Sequence, residues 1–357
     1  MFNKEDKTVL VVLICSALII TAALIYISTH YRYKEDYAIN GNILVLSGLP
    51  IPTDPSYIEQ VIKETTGKDA KIAGNIKIKG LPGGIDPSGT SPGDWNKIAN
   101  YIVSNYKDYD SFLVILPPDG MSYTSSALSF LIEGLDKPVG LTTFDPPSED
   151  NPGWGNDLLT ALELLSQHKI PEVMIISGEK VLRGNRSTRV NSSVKDAFAS
   201  PSYPVIAEKK GELVIYPQNV SPSPDMPFKF MPIDEKKKVL YAKIYPGITC
   251  KEFTRLVQNG VDGMVIEFSG QGTVQLPEGF QKLLRELSGK GVVLVGVSDA
   301  MVKNDYKGDV IQECGGVSGG EMTTECAIAK LRFLLSHVPD KEIVRQLVGK
   351  SLRGEMR

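Results

Sequence analysis

The chain has 357 residues, of which 42% are apolar and 23% charged, with 33 Gly, 23 Pro and a formal net charge of −3. At about 150 residues per domain this length fits two domains, and the balance of residues excludes disordered, collagen-like and many-helix membrane classes. With 39 Lys+Arg against 42 Asp+Glu and no dense basic block, no stripe exists to neutralise phosphates, so no nucleic-acid partner is expected.

The apolar residues are unevenly spread. Thr8 to Ser28 reads TVLVVLICSALIITAALIYIS, 21 residues without a charge. At ~1.5 Å rise per residue, about 20 helical residues cover a ~30 Å hydrocarbon core. Lys4, Glu5, Asp6 and Lys7 precede the run; Tyr31, Arg32, Tyr33 and Lys34 follow it, as interfacial anchors do. A cleaved signal peptide would carry about 7–15 apolar residues ended by small ones, whereas this run ends in Leu24-Ile25-Tyr26-Ile27. The expectation is an uncleaved N-terminal anchor and a single-pass membrane location, with residues 1–38 as anchor and flank and residues 8–28 in contact with the lipid bilayer. Orientation stays open, because Lys4 and Lys7 balance Arg32 and Lys34.

Past the anchor, strand and helix patterns alternate. NILVL (Asn42–Leu46) is a short apolar run, and Ser56–Thr65 has helical spacing. Ser91–Tyr106 reads as a helix, with Ser91 as N-cap, Pro92 at the first helical position and Asp94 completing a capping-box pattern. Ser111–Leu116, Pro138–Thr142 and Glu172–Ser177 read as buried strands, with helices at Met121–Leu135 and Asp157–His168. Continuous apolar strands alternating with helices predict a parallel sheet covered on both faces.

The texture then changes. Tyr216–Lys238 carries five prolines and ends in a Lys triplet, as a linker does. Beyond it Val239–Ile244, Gly263–Phe268 and Gly291–Val297 read as strands. Helices are expected at Lys251–Asn259, Glu278–Leu287, Thr324–His337 and Asp340–Leu352. The soluble part therefore divides into a larger α/β domain at 39–215, a linker at 216–238 and a smaller α/β domain at 239–357.

Candidate chemistry is sparse. Cys15, Cys250, Cys314 and Cys326 make no CxxC, and only three histidines occur, so neither a metal site nor a disulfide framework is expected. His168 and His337 each end a helix, where a cation would meet the terminal carbonyls. The Gly-rich stretches lack the phosphate-loop spacings, and no cofactor is implied. Ligands of open α/β sheets bind at the carboxyl ends of strands. The turns there are Ser47–Ile51, Asp86-Pro87-Ser88, Pro117–Gly120 and Arg183–Arg189. Asp119 is their candidate carboxylate, with an N-cap role for the following helix as its alternative.

These turns, in this order, resemble the bacterial-type L-asparaginase/glutaminase family from about Asn42 to the C-terminus. The most specific stretches are Tyr109–Thr142, Arg183–Pro204 and Gly315–Leu335, while Tyr245–Ile248, Gly260–Gly272 and Gly291–Ala300 look like the family's second domain. The resemblance implies a Rossmann-like N-terminal domain, a smaller parallel-sheet C-terminal domain and a homo-oligomer. It also implies amide hydrolysis through an activated Thr, a group that takes its proton, and N–H donors facing the oxyanion.

The residues depart from that pattern at the decisive positions. The family's TGGTI turn is SGLPI here, putting Pro50 at the nucleophile. Its substrate-gripping Asp-Ser pair is Asp86-Pro87. Its HGTDT turn is Leu116–Gly120, with Pro118 at the second Thr and only Asp119 retained. The Lys of RGNRTTK is matched by Arg189. Proline has no hydroxyl and no N–H, and a guanidinium cannot relay a proton as a desolvated lysine can. No catalytic residue is therefore assigned.

Three readings follow. The first is a membrane-anchored pseudoenzyme serving as a structural or interaction component of a membrane complex or virion, with protein partners. The second is residual amide hydrolysis through relocated hydroxyls such as Ser47, Ser88 or Thr124 near Asp119. The third is an amino-acid sensor in which Asp119 and Arg189 hold the ligand's charged groups, the plainer alternative being that they pair with each other.

Overall fold

The computed structural model describes residues 41–48, 58–60, 62, 75–86, 90–144, 156–192, 197–272, 276, 279–301 and 306–357. The expected anchor at Thr8–Ser28, most of the expected helix at 56–65, Pro50, Pro87 and Ser88 lie outside them. Among the described residues no helix is long and apolar enough to cross a membrane.

In chain order the first domain runs β1 (Ile43–Ser47), β2 (Ile76–Gly80), α1 (Pro92–Ser104), β3 (Ser111–Ile115), α2 (Met121–Leu131), β4 (Ile132–Glu133), β5 (Val139–Thr142), α3 (Asn156–Gln167), β6 (Val173–Ser177), β7 (Lys180–Arg183), β8 (Thr188–Arg189), β9 (Phe198–Ala199), β10 (Ala207–Lys210) and β11 (Glu212–Ile215). Eight of these strands form one sheet in the order β11-β10-β7-β6-β5-β3-β1-β2. β2, β1, β3, β5 and β6 are mutually parallel, and β1, β3 and β6 are buried along their whole length, as their continuous apolar runs require.

The other edge departs from the all-parallel expectation. β7 turns back antiparallel on β6 through Gly178 and Glu179, both at positive φ (60° and 64°), and β10 and β11 continue antiparallel. Two left-handed residues match a hairpin turn to the twist of the strands, and no crossover helix is needed. The sheet is therefore mixed.

α1 begins as its sequence demands. The Ser91 hydroxyl accepts from the Asp94 N–H at 3.2 Å and the Asp94 carboxylate accepts from the Ser91 N–H at 3.0 Å, while Trp95, Ile98, Ala99 and Ile102 are buried on one face. α2 stops four residues earlier than expected. Ile132 and Glu133 leave the helix to pair with β12 (Lys229–Phe230) in the proline-rich connection, and Gly134 follows at φ +67°. Only glycine suits that position, since a Cβ would lie 2.5 Å from the Pro227 carbonyl oxygen.

The second domain continues with β13 (Val239–Lys243), α4 (Cys250–Val257), β14 (Gly263–Phe268), α5 (Phe280–Gly289), β15 (Val293–Ser298), α6 (Asp309–Glu313), β16 (Val317–Ser318), α7 (Thr324–His337) and α8 (Lys341–Val348). Its sheet, β13-β14-β15-β16, is parallel throughout, as expected. α2 and α7 pack across the domain joint with Phe130 and Phe333 stacked at 5.8 Å, and one apolar core runs through both domains. The chain end is tied into the same joint. Asn185 Nδ2 donates to the Arg353 carbonyl at 2.8 Å, Arg186 Nε to the Gly354 carbonyl at 2.6 Å, and Lys330 pairs with Glu355 where neither side chain is exposed.

Candidate functional site

The first-domain strand order reverses between β1 and β3, and the carboxyl ends of these two strands make the crevice where open α/β sheets hold ligands. Backbone bonds stitch the turns there together. Gly48 N–H donates to the Ile115 carbonyl and Leu81 N–H to the Ser47 carbonyl, at 2.9 and 2.8 Å. Gly48 has no room for a side chain, because a Cβ would meet Leu116 Cδ2 at 2.7 Å and Ile85 Cγ1 at 2.8 Å. Ser47 is buried, and its hydroxyl has no hydrogen-bond partner among the described residues.

Pro118 sits at the end of β3 and accepts the Met121 N–H at 3.3 Å through its carbonyl. The N-cap of α2 is Gly120 at φ +79°, with no side-chain cap bond, so Asp119 does not cap the helix. Asp119 instead forms an ion pair with Arg189 Nη1. The other two edges of that guanidinium are taken as well: Nε donates to the Asn191 carbonyl at 3.1 Å and Nη2 to the Ser192 carbonyl at 3.0 Å. The structure thus brings Asp119 and Arg189 together, each in the other's grip. The Asp119 side chain is 55% exposed and that of Arg189 28%, so the contact is screened and its geometric effect outweighs its energy.

Thr124, the relocated-hydroxyl candidate, lies fully buried one turn into α2. Its proton goes to the Gly120 carbonyl at 3.0 Å, and Thr90 Oγ1 stands 2.7 Å away, itself accepting from Trp95 Nε1 at 3.0 Å. A threonine hydroxyl has one proton, and in this chain it is held by carbonyl and hydroxyl oxygens. No titratable base belongs to it.

A second group of charges lies on the far side of Arg189, at the carboxyl ends of the second-domain strands. Thr188 donates to Glu325 at 2.7 Å, Thr324 to Glu267 at 2.6 Å, and Lys243 bridges Glu267 and Asp299 at 3.1 and 3.2 Å. Tyr123 of α2 is pushed up to about 12, first by burial and then by Glu325 and Glu267. Burial alone would raise the Asp299 carboxyl, but the Gly270 N–H and Lys243 together hold it below the usual carboxylate range. Sequence reasoning missed this cluster because it inspected only first-domain turns. The same strand-end rule, applied to Lys243, Glu267 and Asp299, would have found it.

His168 differs from expectation, while His337 ends α7 as expected. Burial pushes His168 down to about 4, so it is neutral rather than a helix-terminal cation, and His337 packs its ring 4.9 Å from that of Phe333. Among the described residues no group of His, Cys, Asp and Glu is arranged to hold a metal ion.

The doubly wound first domain, the parallel second domain and the crevice at the strand-order reversal define a two-domain α/β chain with a ligand crevice at its strand ends. Residues 65–221 match the family described as asparaginase, N-terminal, and residues 238–348 the glutaminase/asparaginase C-terminal domain. L-asparaginase 1 of Escherichia coli is 31% identical over 293 residues, covering 76% of this chain and 82% of that one. The 60 kDa lysophospholipase of Mus musculus is 31% identical over 281 residues, covering 76% of this chain and 49% of its own. The crystal structure of L-asparaginase I from Vibrio cholerae superposes with a TM-score of 0.81 at 28% identity, over 89% of this chain and 99% of that one. The chain belongs to the asparaginase family.

Proposed function

We propose that this chain keeps the asparaginase fold without its hydrolytic chemistry. Anchored through residues 8–28, it serves as a structural or interaction component of a larger assembly, a membrane complex or a virion. The observation that carries the reading is the Asp119–Arg189 pair beside Pro118. The one carboxylate at the turn is engaged by a guanidinium, and the neighbouring residue has neither a hydroxyl to attack with nor an N–H to offer an oxyanion. Two lesser readings have less behind them. Residual hydrolysis through Ser47 or Thr124 has no base hydrogen-bonded to either hydroxyl among the described residues, and an amino-acid sensor would have to separate Asp119 from Arg189 before binding a ligand.

The test uses full-length protein in detergent micelles, incubated with asparagine or glutamine while ammonia is measured. No release above the rate without protein is expected, and appreciable turnover would overturn the proposal. Calorimetry with Asp, Asn, Glu and Gln should give no heat; saturable heat would favour the sensor. Light scattering should return a homo-oligomer, and co-purification from native membranes should bring protein partners with it.

A further inference from the structure

The second-domain sheet ends on β13, which pairs on one side only, with β14. Ile244 N–H donates to the Glu267 carbonyl and Asp262 N–H to the Lys238 carbonyl, both at 2.9 Å, so the even-numbered residues turn their backbone groups toward β14. Backbone groups alternate along a strand, and Val239, Tyr241 and Lys243 therefore turn theirs outward. Among the described residues nothing pairs with these three N–H and three C=O groups. An open row of this kind is a template for a further strand.

The other outer strands of the two sheets offer less. β2 carries Lys77 and Lys79, β11 begins on Glu212 after Lys209 and Lys210 of its hairpin partner, and β16 is two residues long. β13 has five residues and one charge, Lys243, which Glu267 and Asp299 neutralise within the same domain. Tyr241 at its centre is 43% exposed, and Tyr245 just beyond it 49%. Free charge keeps natural edges apart, and here it is missing while aromatic surface is present.

The occupant follows from the spacing. Three outward residues centred on Tyr241 are their own complement about a two-fold axis. When a second copy lies antiparallel, Tyr241 meets the partner's Tyr241, Val239 the partner's Lys243, and Lys237 the partner's Tyr245. No like charges then stand opposite one another, two tyrosines form a cross-strand pair, and an ammonium meets an aromatic ring. Sliding the partner two residues one way would set Lys237 against the partner's Lys243, which is unfavourable. We propose that two copies of this chain join through β13, antiparallel about a two-fold axis at Tyr241, so that two four-stranded sheets become one. No residue of the crevice at Asp119 takes part, and the pairing stands apart from the reading of that site.

The test uses full-length protein in detergent micelles, with Cys15 and Cys250 replaced by Ala. Residues opposite one another in a hydrogen-bonded antiparallel pair have Cα atoms about 5.5 Å apart, within disulfide reach. Tyr241→Cys, oxidised with copper–phenanthroline, should give at least tenfold more disulfide-linked dimer than Val214→Cys, a position of equal exposure on β11. In the unmodified protein, hydrogen–deuterium exchange at 239–243 should slow as protein concentration rises. Tyr241→Asp, which sets two carboxylates face to face, should abolish that protection, and Tyr241→Phe should keep it. If the Asp variant folds poorly, cross-linking and the exchange of the unmodified protein still decide. Cross-linking at 241 no greater than at 214 would overturn the proposal. So would exchange at 239–243 that does not change with concentration, whether fast, as for a bare edge, or slow, as for one covered by another segment of the chain.

Discussion

Replacing Lys330 by Met tests how the C-terminal tail is held. Lys330 and Glu355 are both fully buried. The ammonium donates to the Val348 and Lys350 carbonyls as well as to Glu355, and the carboxylate accepts the Leu352 and Arg353 N–H groups at 2.9 and 2.7 Å. Methionine fills most of the lysine volume but strands a carboxylate in the interior and leaves two carbonyls without a donor. Removing one partner of a buried pair costs about 3–5 kcal/mol. At about 1.4 kcal/mol per tenfold, the tail should open on the order of a hundredfold to a few thousandfold more often. Glu355→Gln keeps an oxygen for the backbone donors while stranding the cation, and a loss of similar order is expected. The double variant buries neither charge, so the cycle should show a coupling of about 1–3 kcal/mol. Urea unfolding gives the free energies, and hydrogen exchange at 349–357 shows whether the tail is the part released. A loss below about 1 kcal/mol for Lys330→Met, with tail protection unchanged, would refute the reasoning.

Other outcomes follow from the same packing. Burial lowers His168 from 6.5 to about 4, so the unfolded chain takes up a proton that the folded protein refuses. Its contribution to stability is whole above about pH 6.5 and is lost as pH falls toward 4, by at most about 3 kcal/mol. Subtracting the His168→Gln profile from that of the unmodified protein should isolate this slope; parallel profiles would exclude it. Gly134→Ala should cost more than about 2 kcal/mol in thermal or urea unfolding, through its left-handed backbone and the collision with Pro227. Ser91→Ala should cost about 1 kcal/mol by the same assay, from loss of the α1 cap. Arg189→Lys alone should release no ammonia from asparagine, because Pro118 still lacks a hydroxyl. Pro50→Thr/Pro118→Thr/Arg189→Lys should produce measurable release, and turnover by the single variant would show that the prolines are not what blocks the chemistry.

Periodicity alone marked β1, β3, β5 and β6, because parallel strands buried on both faces must be apolar at every position. It also marked α1, α3 and α7 closely, since caps such as Ser91 and stripes such as Trp95–Ile98–Ile102 are local. β2 escaped notice because IKIKG is half exposed, and β7, β10 and β11 because four residues are too few to carry a periodic signal. The end of α2 was misplaced for a different reason. Ile132–Glu133 is released from the helix by a partner nearly a hundred positions away, and no local pattern records that pairing.

At the site, the proposal rests first on residue types. A proline at 118 cannot supply a hydroxyl wherever it lies, and its chemistry is a property of the letter. The engagement of Asp119 by Arg189, the burial of Thr124 and the joining of Asn185 to Arg353 are of another kind. They depend on segments 70 to 168 positions apart meeting in space, or on what a surrounding core excludes. Sequence by itself therefore determined the alternating α/β build and which side-chain chemistry stands at each turn, which are local and covalent. The tertiary structure alone decided which charges are already spoken for and which hydroxyls the core encloses, because those follow from contacts that chain order does not encode.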